Sequence, residues 1–173
     1  PVVAITKKEN RLGGAANVAL NIEALGANPI LCSVIGNDHM GNQVIGLLKQ
    51  QSLPQHGIIQ DSDRLTTVKT RVIAEGKHQL RVDEEIEIEI SSVLERKLIS
   101  IVTELLETEK IDVIIFEDYN KGVLTKFVIQ TIIKLANSKE IPTVVDPKKK
   151  NFLSYKNCTL FKPNLKELNE GLS

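Results

Sequence analysis

Continuous apolar runs alternate along this chain with segments of helical periodicity, and this alternation restricts the fold more than any other feature. The predicted strands are 2–6, 29–36, 57–60, 112–116, 142–146 and 158–164, and the predicted helices are 14–25, 40–51, 92–107, 126–136 and a last helix from 165. A strand buried on both faces reads as a continuous apolar run, and parallel neighbours need crossovers of helix length. The sequence therefore predicts a three-layer α/β/α fold, with a mostly parallel sheet covered by helices on both faces.

Residues 66–83 depart from this pattern, because apolar and polar residues alternate there around a short break at 75–77. Alternation is typical of strands with one wet face, and the break predicts a hairpin. We expect the hairpin to leave the main sheet as a small flap, joined by the strand at 2–6. The predicted apolar face of the flap consists of Val68, Val72, Ala74, Leu80 and Val82.

A flap of this size is too small to bury its own apolar face. Exposed strand edges and an exposed apolar patch both favour association with a partner. We therefore predict a homodimer that forms through the flap. The alternative is a monomer in which the flap folds over its own cleft.

The charge balance excludes several classes of partner. Lys and Arg number 22, and Asp and Glu also number 22, so zero net charge gives no general attraction to nucleic acid or an anionic membrane. No apolar run approaches the roughly 20 residues of a membrane span, and no signal-peptide pattern leads the chain. We expect a cytoplasmic protein in which Cys32 and Cys158 are buried thiols, with a disulfide as the alternative.

Charged residues follow three successive predicted strands, in the segments EDYNKG (117–122), DPKKK (146–150) and KPNLKE (162–167). In an open parallel sheet, ligands bind beyond the carboxyl ends of the strands. Lysines there suit phosphate, and acids suit a metal ion or a sugar hydroxyl. The alternative is that these residues are charged simply because strands end in water.

Gly13 and Gly14 stand where a helix has to begin. Glycine lets the backbone approach a ligand closely, and the helix start behind it offers N–H groups without intrahelical partners. A packing role explains the pair equally well. The segment contains neither a G-x-G-x-x-G fingerprint nor a P-loop, so it does not support a dinucleotide or Walker-type site.

The stretch GGAANVALNIEALGANPILCSVIGNDHMG (13–41) resembles the first signature of the PfkB, or ribokinase-like, sugar kinases. The resemblance rests on the Gly-Gly pair, the Asn after it, a Gly after the helix and the G-x-D-x-x-G pattern at 36–41. Segments 69–85, 117–122 and 144–168 most resemble the kinase domain that phosphorylates D-glycero-β-D-manno-heptose 7-phosphate. That domain is often the amino-terminal half of a bifunctional protein that makes ADP-heptose for lipopolysaccharide.

The resemblance implies a ribokinase-like fold, Mg²⁺ and ATP as the phosphoryl donor, and roles for particular residues. Gly13, Gly14 and Asn17 would face the sugar. Asn164 and Glu167 match the N-x-x-E motif of the family, which organises Mg²⁺ and the ATP phosphates partly through water. The cleft between sugar and nucleotide would be lined by Asp118, Lys121, Asp146 and Lys148.

Arg71 and Arg81 lie on the predicted hairpin, with Lys69 nearby. If the sugar substrate already carries a 7-phosphate, the protein must bind that dianion, and an arginine guanidinium can do so with two parallel hydrogen bonds. The alternative is two arginines on the wet face of a flap. The family resemblance favours phosphate binding by at least one of them.

Two family features are not found between residues 1 and 173: a leading strand with a sugar-binding Asp, and the G-A-G-D motif that carries the general base. We therefore expect residues 1–173 to be a partial kinase domain, truncated at both ends, with the flap at 2–6 and 66–83 and without catalysis of its own. Alternatives are a kinase for fructose phosphate or ribose, or a sugar-binding module without catalysis.

Overall fold

The computed structural model describes residues 4–172. Its helices are α1 Ala15–Ala24, α2 His39–Gln50, α3 Ser92–Thr108, α4 Lys126–Ser138 and α5 Leu165–Leu172, with a 3-10 helix at Lys149–Ser154. Its strands are β1 Ser33–Gly36, β2 Ile58–Asp61, β3 Val68–Ala74, β4 Lys77–Glu84, β5 Ile114–Glu117, β6 Thr143–Asp146 and β7 Leu160–Phe161. Among the helices of residues 4–172, none combines the length and the hydropathy that a membrane span requires.

The α/β prediction is confirmed, since the apolar runs pair in parallel through helical crossovers. β1 pairs with β2 across α2, and β6 pairs with β5 across α4 and with β7 on its other side. In the described range these form a two-stranded and a three-stranded sheet, instead of one continuous sheet. One core joins them, because Val34 and Ile59 of the first sheet pack in the same buried cluster as Phe116 and Val145 of the second.

Both faces of the sheet formed by β1 and β2 are covered by helices. Helices α3 and α4 contribute the main core on one side, and α1 and α2 form a smaller cluster on the other side with Leu48, Leu53 and Ile58. On β5 and β7 the second face is open: Ile115 is 39% exposed and Leu160 is 53% exposed. Within residues 4–172, part of the second face of β5 and β7 is thus exposed to solvent.

Three strand predictions also change because a strand extends only as far as its partner. β1 starts at Ser33 and not at residue 29, since β2 begins opposite it at Ile58. The last strand is limited to Leu160–Phe161, where β6 pairs with it. Of the predicted strand 2–6, residues 2 and 3 lie outside the described residues, and 4–6 have no strand structure and do not join the flap.

The predicted hairpin is confirmed. β3 and β4 pair antiparallel as a separate two-stranded sheet, and they are joined by Glu75 (φ 51°) and Gly76 (φ 72°). Two positive φ angles are the signature of a type I′ turn, whose twist matches the flanking strands. Register places the predicted apolar side chains together on one face, and Leu80 on that face is 58% exposed. The other face, called here the charged face, carries Lys69, Arg71, Arg81 and Asp83.

The G-x-D-x-x-G pattern ties the start of the flap to the end of β1. Asp38 caps α2, as expected for this position, by accepting a 2.6 Å hydrogen bond from the Gly41 N–H, and its second oxygen accepts a 2.8 Å bond from the Thr66 N–H. The Thr66 hydroxyl accepts from the Gly36 N–H at 2.9 Å. Gly36 has no room for a side chain, because a Cβ there would lie 2.5 Å from the Arg64 carbonyl oxygen.

Acid should weaken the hydrogen bonds that the Asp38 carboxylate accepts from Gly41 and Thr66. Desolvation acts to raise the pKa of Asp38, but hydrogen bonds from Thr66 and Gly41 outweigh it and hold the pKa below its ordinary 3.8. A lowered folded-state pKa means that the stabilisation is complete above 3.8 and is lost as pH falls through the lower folded value. We expect the difference in unfolding free energy between wild type and Asp38→Asn to shrink below pH 4, measured by urea titration. A difference that stays constant from pH 7 to pH 3 would contradict this.

Both cysteines are free thiols, as predicted, but neither is fully buried. Cys32 and Cys158 are each half-buried and form no disulfide. Burial raises the pKa of Cys32 to about 11, so its thiol stays protonated at neutral pH. Neither cysteine supplies a reactive thiolate to the site described below.

Candidate functional site

The carboxyl ends of β5 and β6 meet at one edge of the three-stranded sheet. Their last residues, Glu117 and Asp146, are partners in the register. Lys148 follows β6, and α5 begins beside it with Asn164 and Glu167. These five residues, Glu117, Asp146, Lys148, Asn164 and Glu167, are called here the strand-end site.

The N-x-x-E motif forms a reciprocal helix cap at this edge. The Asn164 N–H donates to Glu167 Oε2 at 2.9 Å, and the Glu167 N–H donates to Asn164 Oδ1 at 2.9 Å. Lys148 Nζ donates to the other oxygen, Glu167 Oε1. Burial acts to raise the pKa of Glu167, yet these bonds outweigh it and lower the pKa. Glu167 is therefore a buried carboxylate that fixes the lysine ammonium at the end of β6.

A metal ion held by protein side chains alone does not fit these residues. Both oxygens of Glu167 already accept hydrogen bonds, and within residues 4–172 no group of three His, Cys, Asp or Glu side chains can hold a metal. An indirect role of Glu167 toward Mg²⁺, through water, stays a prediction.

Glu117 and Tyr119 belong to this edge and were missed in the sequence. Desolvation and the neighbouring Asp146 carboxylate raise the pKa of Glu117. Tyr119 lies against the start of α1, since a Cβ on Gly14 would be 3.7 Å from its ring. The signal in the sequence was their position at the end of an apolar strand, in EDYNKG.

Gly14 is required at the start of α1 by its backbone. It is the N-cap with φ 55°, and no side chain caps the helix. Gly13 differs, because a Cβ there would meet nothing within 4 Å, and both Gly13 and Asn17 are exposed. The structure thus brings the Gly-Gly segment beside the loop after β5, and sugar binding by Gly13, Gly14 and Asn17 stays a prediction.

Asp118 lies inside the protein, contrary to its expected place along the cleft. It is 2% exposed. Its carboxylate accepts hydrogen bonds from the Asn120 N–H (2.8 Å), the Tyr155 hydroxyl (2.8 Å) and Asn151 Nδ2 (3.1 Å). Burial and the Asp118 charge both raise the pKa of Tyr155, so its hydroxyl remains a donor. Asp118 positions the loop after β5, because its acceptor atoms already serve the protein.

Lys121 and Lys69 are engaged by acids at the exit of the flap. Lys121 Nζ lies 2.8 Å from Glu85 Oε1 and 2.7 Å from Glu87 Oε1. Lys69 Nζ lies 2.9 Å from Asp83 Oδ2 and 2.6 Å from Glu85 Oε2. Glu85 thereby links the charged face of the flap to the loop after β5. In this arrangement the two lysines fasten the flap instead of pointing free into a cleft.

Arg64 is a second fastening that the sequence did not reveal. It is 8% exposed, and its Nη1 donates to the Ile88 carbonyl at 3.1 Å while Nη2 donates to the Lys121 carbonyl. Desolvation lowers its pKa. The local sequence DSDRLTT contains no signal for its burial. Both ends of the flap are thus attached to the body, one through Thr66 and the other through Ile88.

Arg71 and Arg81 face each other across the hairpin. They are register partners on β3 and β4, and both are exposed. A surface cavity of about 360 Å³ lies beside them, lined by Arg71, His78, Gln79, Leu80 and Arg81. The two arginines are therefore flap cations that border this cavity.

Solved structures of sugar kinases have the same fold. The tetrameric inhibited form of phosphofructokinase-2 from Escherichia coli matches 98% of this chain and 58% of its own, with TM-score 0.70 and 19% identity. A 2-dehydro-3-deoxygluconokinase from Thermotoga maritima matches 92% and 52%, with TM-score 0.67 and 15% identity. At these identities the likeness establishes the ribokinase-like α/β fold alone.

Curated relatives are closer in sequence. The bifunctional protein HldE of Helicobacter pylori strain G27 is 41% identical over 172 residues, and that of Geobacter sulfurreducens is 37% identical over 166. These alignments cover 99% and 96% of this chain but 37% and 34% of the relatives, so the chain spans about a third of their length. The sequence pattern of the carbohydrate kinases of the pfkB family matches residues 2–172. This chain therefore belongs to the pfkB family of carbohydrate kinases.

Proposed function

We propose that this chain is the sugar-binding and flap portion of a kinase that transfers the γ-phosphate of ATP to the C1 hydroxyl of D-glycero-β-D-manno-heptose 7-phosphate. The product is the 1,7-bisphosphate, on the route to ADP-heptose and lipopolysaccharide. An enzyme that consumes ATP in this way is expected in the cytoplasm. The observation that carries the phosphorylated substrate is the pair of exposed arginines, Arg71 and Arg81, beside a cavity on the flap.

Phosphoryl transfer depends on positioning and on neutralising charge around the transferred group. In this proposal Gly13, Gly14 and Asn17 contact the sugar. Lys148 faces the ATP phosphates, and its ammonium is held in place by Glu167 and the Asn164 cap. Mg²⁺ accompanies ATP, and Glu167 acts on it only through water.

The test is a substrate panel with the complete gene product and Mg-ATP. Heptose 7-phosphate, fructose 6-phosphate and ribose are compared by ADP release, and ³¹P NMR identifies the phosphorylated carbon. We expect kcat/KM for heptose 7-phosphate to exceed the others by about 100-fold, since a site built for one substrate's polar groups rejects analogues strongly. Equal or better use of ribose or fructose phosphate overturns the substrate, and transfer to none of them favours a binding module.

We also propose that the protein is a homodimer through the apolar face of the flap. Leu80 and Val82 on that face are 58% and 45% exposed, and a two-stranded sheet has no second layer to cover them. In such a dimer the flap of the second subunit covers this face, and these side chains become buried in both subunits. The alternative is a flap closed over its own subunit.

Light scattering at micromolar concentration is expected to give twice the mass of one chain. Leu80→Asp should give the mass of one chain, because burying a carboxylate in an apolar interface costs several kcal/mol of association free energy. Ile73→Asp is the matched control: Ile73 is also 58% exposed but lies on the charged face, so the dimer should survive. A wild-type monomer, or identical masses for both variants, rules out this interface.

A further inference from the structure

The cations of the charged face differ in their partners. Lys69 lies within ion-pair distance of Asp83 and Glu85, and Arg81 Nε lies 3.0 Å from Asp83 Oδ1. For Arg71 the structure gives no ion pair and no side-chain hydrogen bond to any residue from 4 to 172. Arg71 is thus the arginine of the flap whose charge no carboxylate neutralises.

Arg71 also stands directly opposite another cation. It is the register partner of Arg81, and like charges directly opposite in an antiparallel pair are destabilising. Asp83 engages Arg81 through Nε, and the two terminal nitrogens of Arg81 have no hydrogen bond within the described residues. An anion between the two guanidinium groups removes the repulsion and uses these donors.

A β-bulge shapes the space between them. Val72 pairs with Leu80 and Ile73 pairs with His78, so Gln79 is an extra residue on β4. A bulge bends its strand and redirects neighbouring side chains. The 360 Å³ cavity lies at this bulge, and Arg71, Arg81 and His78 are among the residues that line it.

Resting on the proposed kinase function, we propose that this bulge pocket binds the phosphate monoester of the acceptor sugar, with Arg71 as its principal ligand. Arg81 is the second ligand, through its terminal nitrogens. Asp83 is a positioning residue that orients Arg81 without touching the phosphate. Lys69, held by two acids, takes no part in phosphate binding.

The experiment measures binding by calorimetry and kinetics in the complete gene product. We expect Arg71→Gln to weaken the binding of heptose 7-phosphate about 100-fold, because the glutamine cannot replace the guanidinium's hydrogen bonds to the charged phosphate. Arg71→Lys should not rescue it, because an ammonium has no fork. Asp83→Asn should raise KM about fivefold with kcat unchanged, an effect smaller than that of removing Arg81. Arg96→Gln, an exposed arginine on α3, is the control and should change neither constant.

Two further ligands separate this inference from the proposed function. Unphosphorylated heptose should bind wild type and Arg71→Gln equally, and inorganic phosphate should bind wild type alone. Equal affinity of both proteins for heptose 7-phosphate overturns the pocket. If the wild type phosphorylates only sugars that lack phosphate, the proposed substrate fails. Inorganic phosphate then decides the pocket: binding lost in Arg71→Gln supports it, and no binding by wild type overturns it.

Discussion

Gly41→Ala is expected to lower the free energy of unfolding by about 3 kcal/mol, because the added methyl group has no space. A Cβ at Gly41 would lie 2.0 Å from the Gly36 carbonyl oxygen and 3.1 Å from Thr66 Oγ1. The nearer atom belongs to the backbone at the end of β1 and is no flexible side chain. Relief therefore requires α2 to move away from β1, which breaks the bonds of Asp38 to the start of the flap.

Gly46→Ala is the matched control on the same helix. A Cβ there meets nothing within 4 Å, so alanine should raise the free energy of unfolding by about 0.5–1 kcal/mol through its better helix propensity. Urea titration of both variants measures the contrast. Equal stabilities for the two variants would contradict this prediction, because they would mean that a methyl group fits between α2 and β1.

Asp118→Ala is expected to lower the free energy of unfolding by about 3 kcal/mol, because it leaves buried hydrogen-bond donors without an acceptor. The Tyr155 hydroxyl, Asn151 Nδ2 and the Asn120 N–H all lose their acceptor at once. Removing a desolvated charge offsets part of the loss, so the cost stays below the sum of three broken bonds. Tyr155→Phe, which removes one donor and leaves the ring, should cost about 1–1.5 kcal/mol.

A double-mutant cycle distinguishes a hydrogen-bonded network from a packing effect. In the Asp118→Ala background, Tyr155→Phe should cost much less than it does alone, because its acceptor is already gone. Strict additivity of the two changes would refute the network. If Asp118→Ala were stable but lost only sugar affinity, the original expectation of a cleft-lining carboxylate would be restored.

The fold could be predicted from the sequence where local signals determine it. The continuous apolar run before Glu117 predicts a buried strand, and alternation around the break at 75–77 predicts the hairpin, whose turn is Glu75 and Gly76 in the structure. The Asn164–Glu167 cap is likewise a contact between residues three positions apart. Such features depend on neighbours in the chain, which a sequence displays directly.

What could not be predicted depends on distant partners. Lys121 and Glu85 are 36 positions apart, and nothing local indicates that they meet at 2.8 Å. The burial of Asp118 could not be predicted for the same reason. In EDYNKG nothing distinguishes it from the polar residues beside it, and its hydrogen-bond partners Asn151 and Tyr155 lie far along the chain. The segment 4–6 is apolar enough for a strand, but among residues 4–172 it pairs with none of the strands.

The isolation of the hairpin has an evolutionary consequence. Residues of β4 are exposed along their whole length, and the attachments at Thr66 and Ile88 lie outside the two strands. Substitutions at Arg71 and Arg81 therefore leave untouched the core, the attachments at Thr66 and Ile88, and the ion pairs of Lys69 and Lys121 with Glu85. If Arg71 and Arg81 bind the phosphate of the acceptor sugar as proposed, selection can change the recognised substituent by altering these two positions without disturbing the buried core.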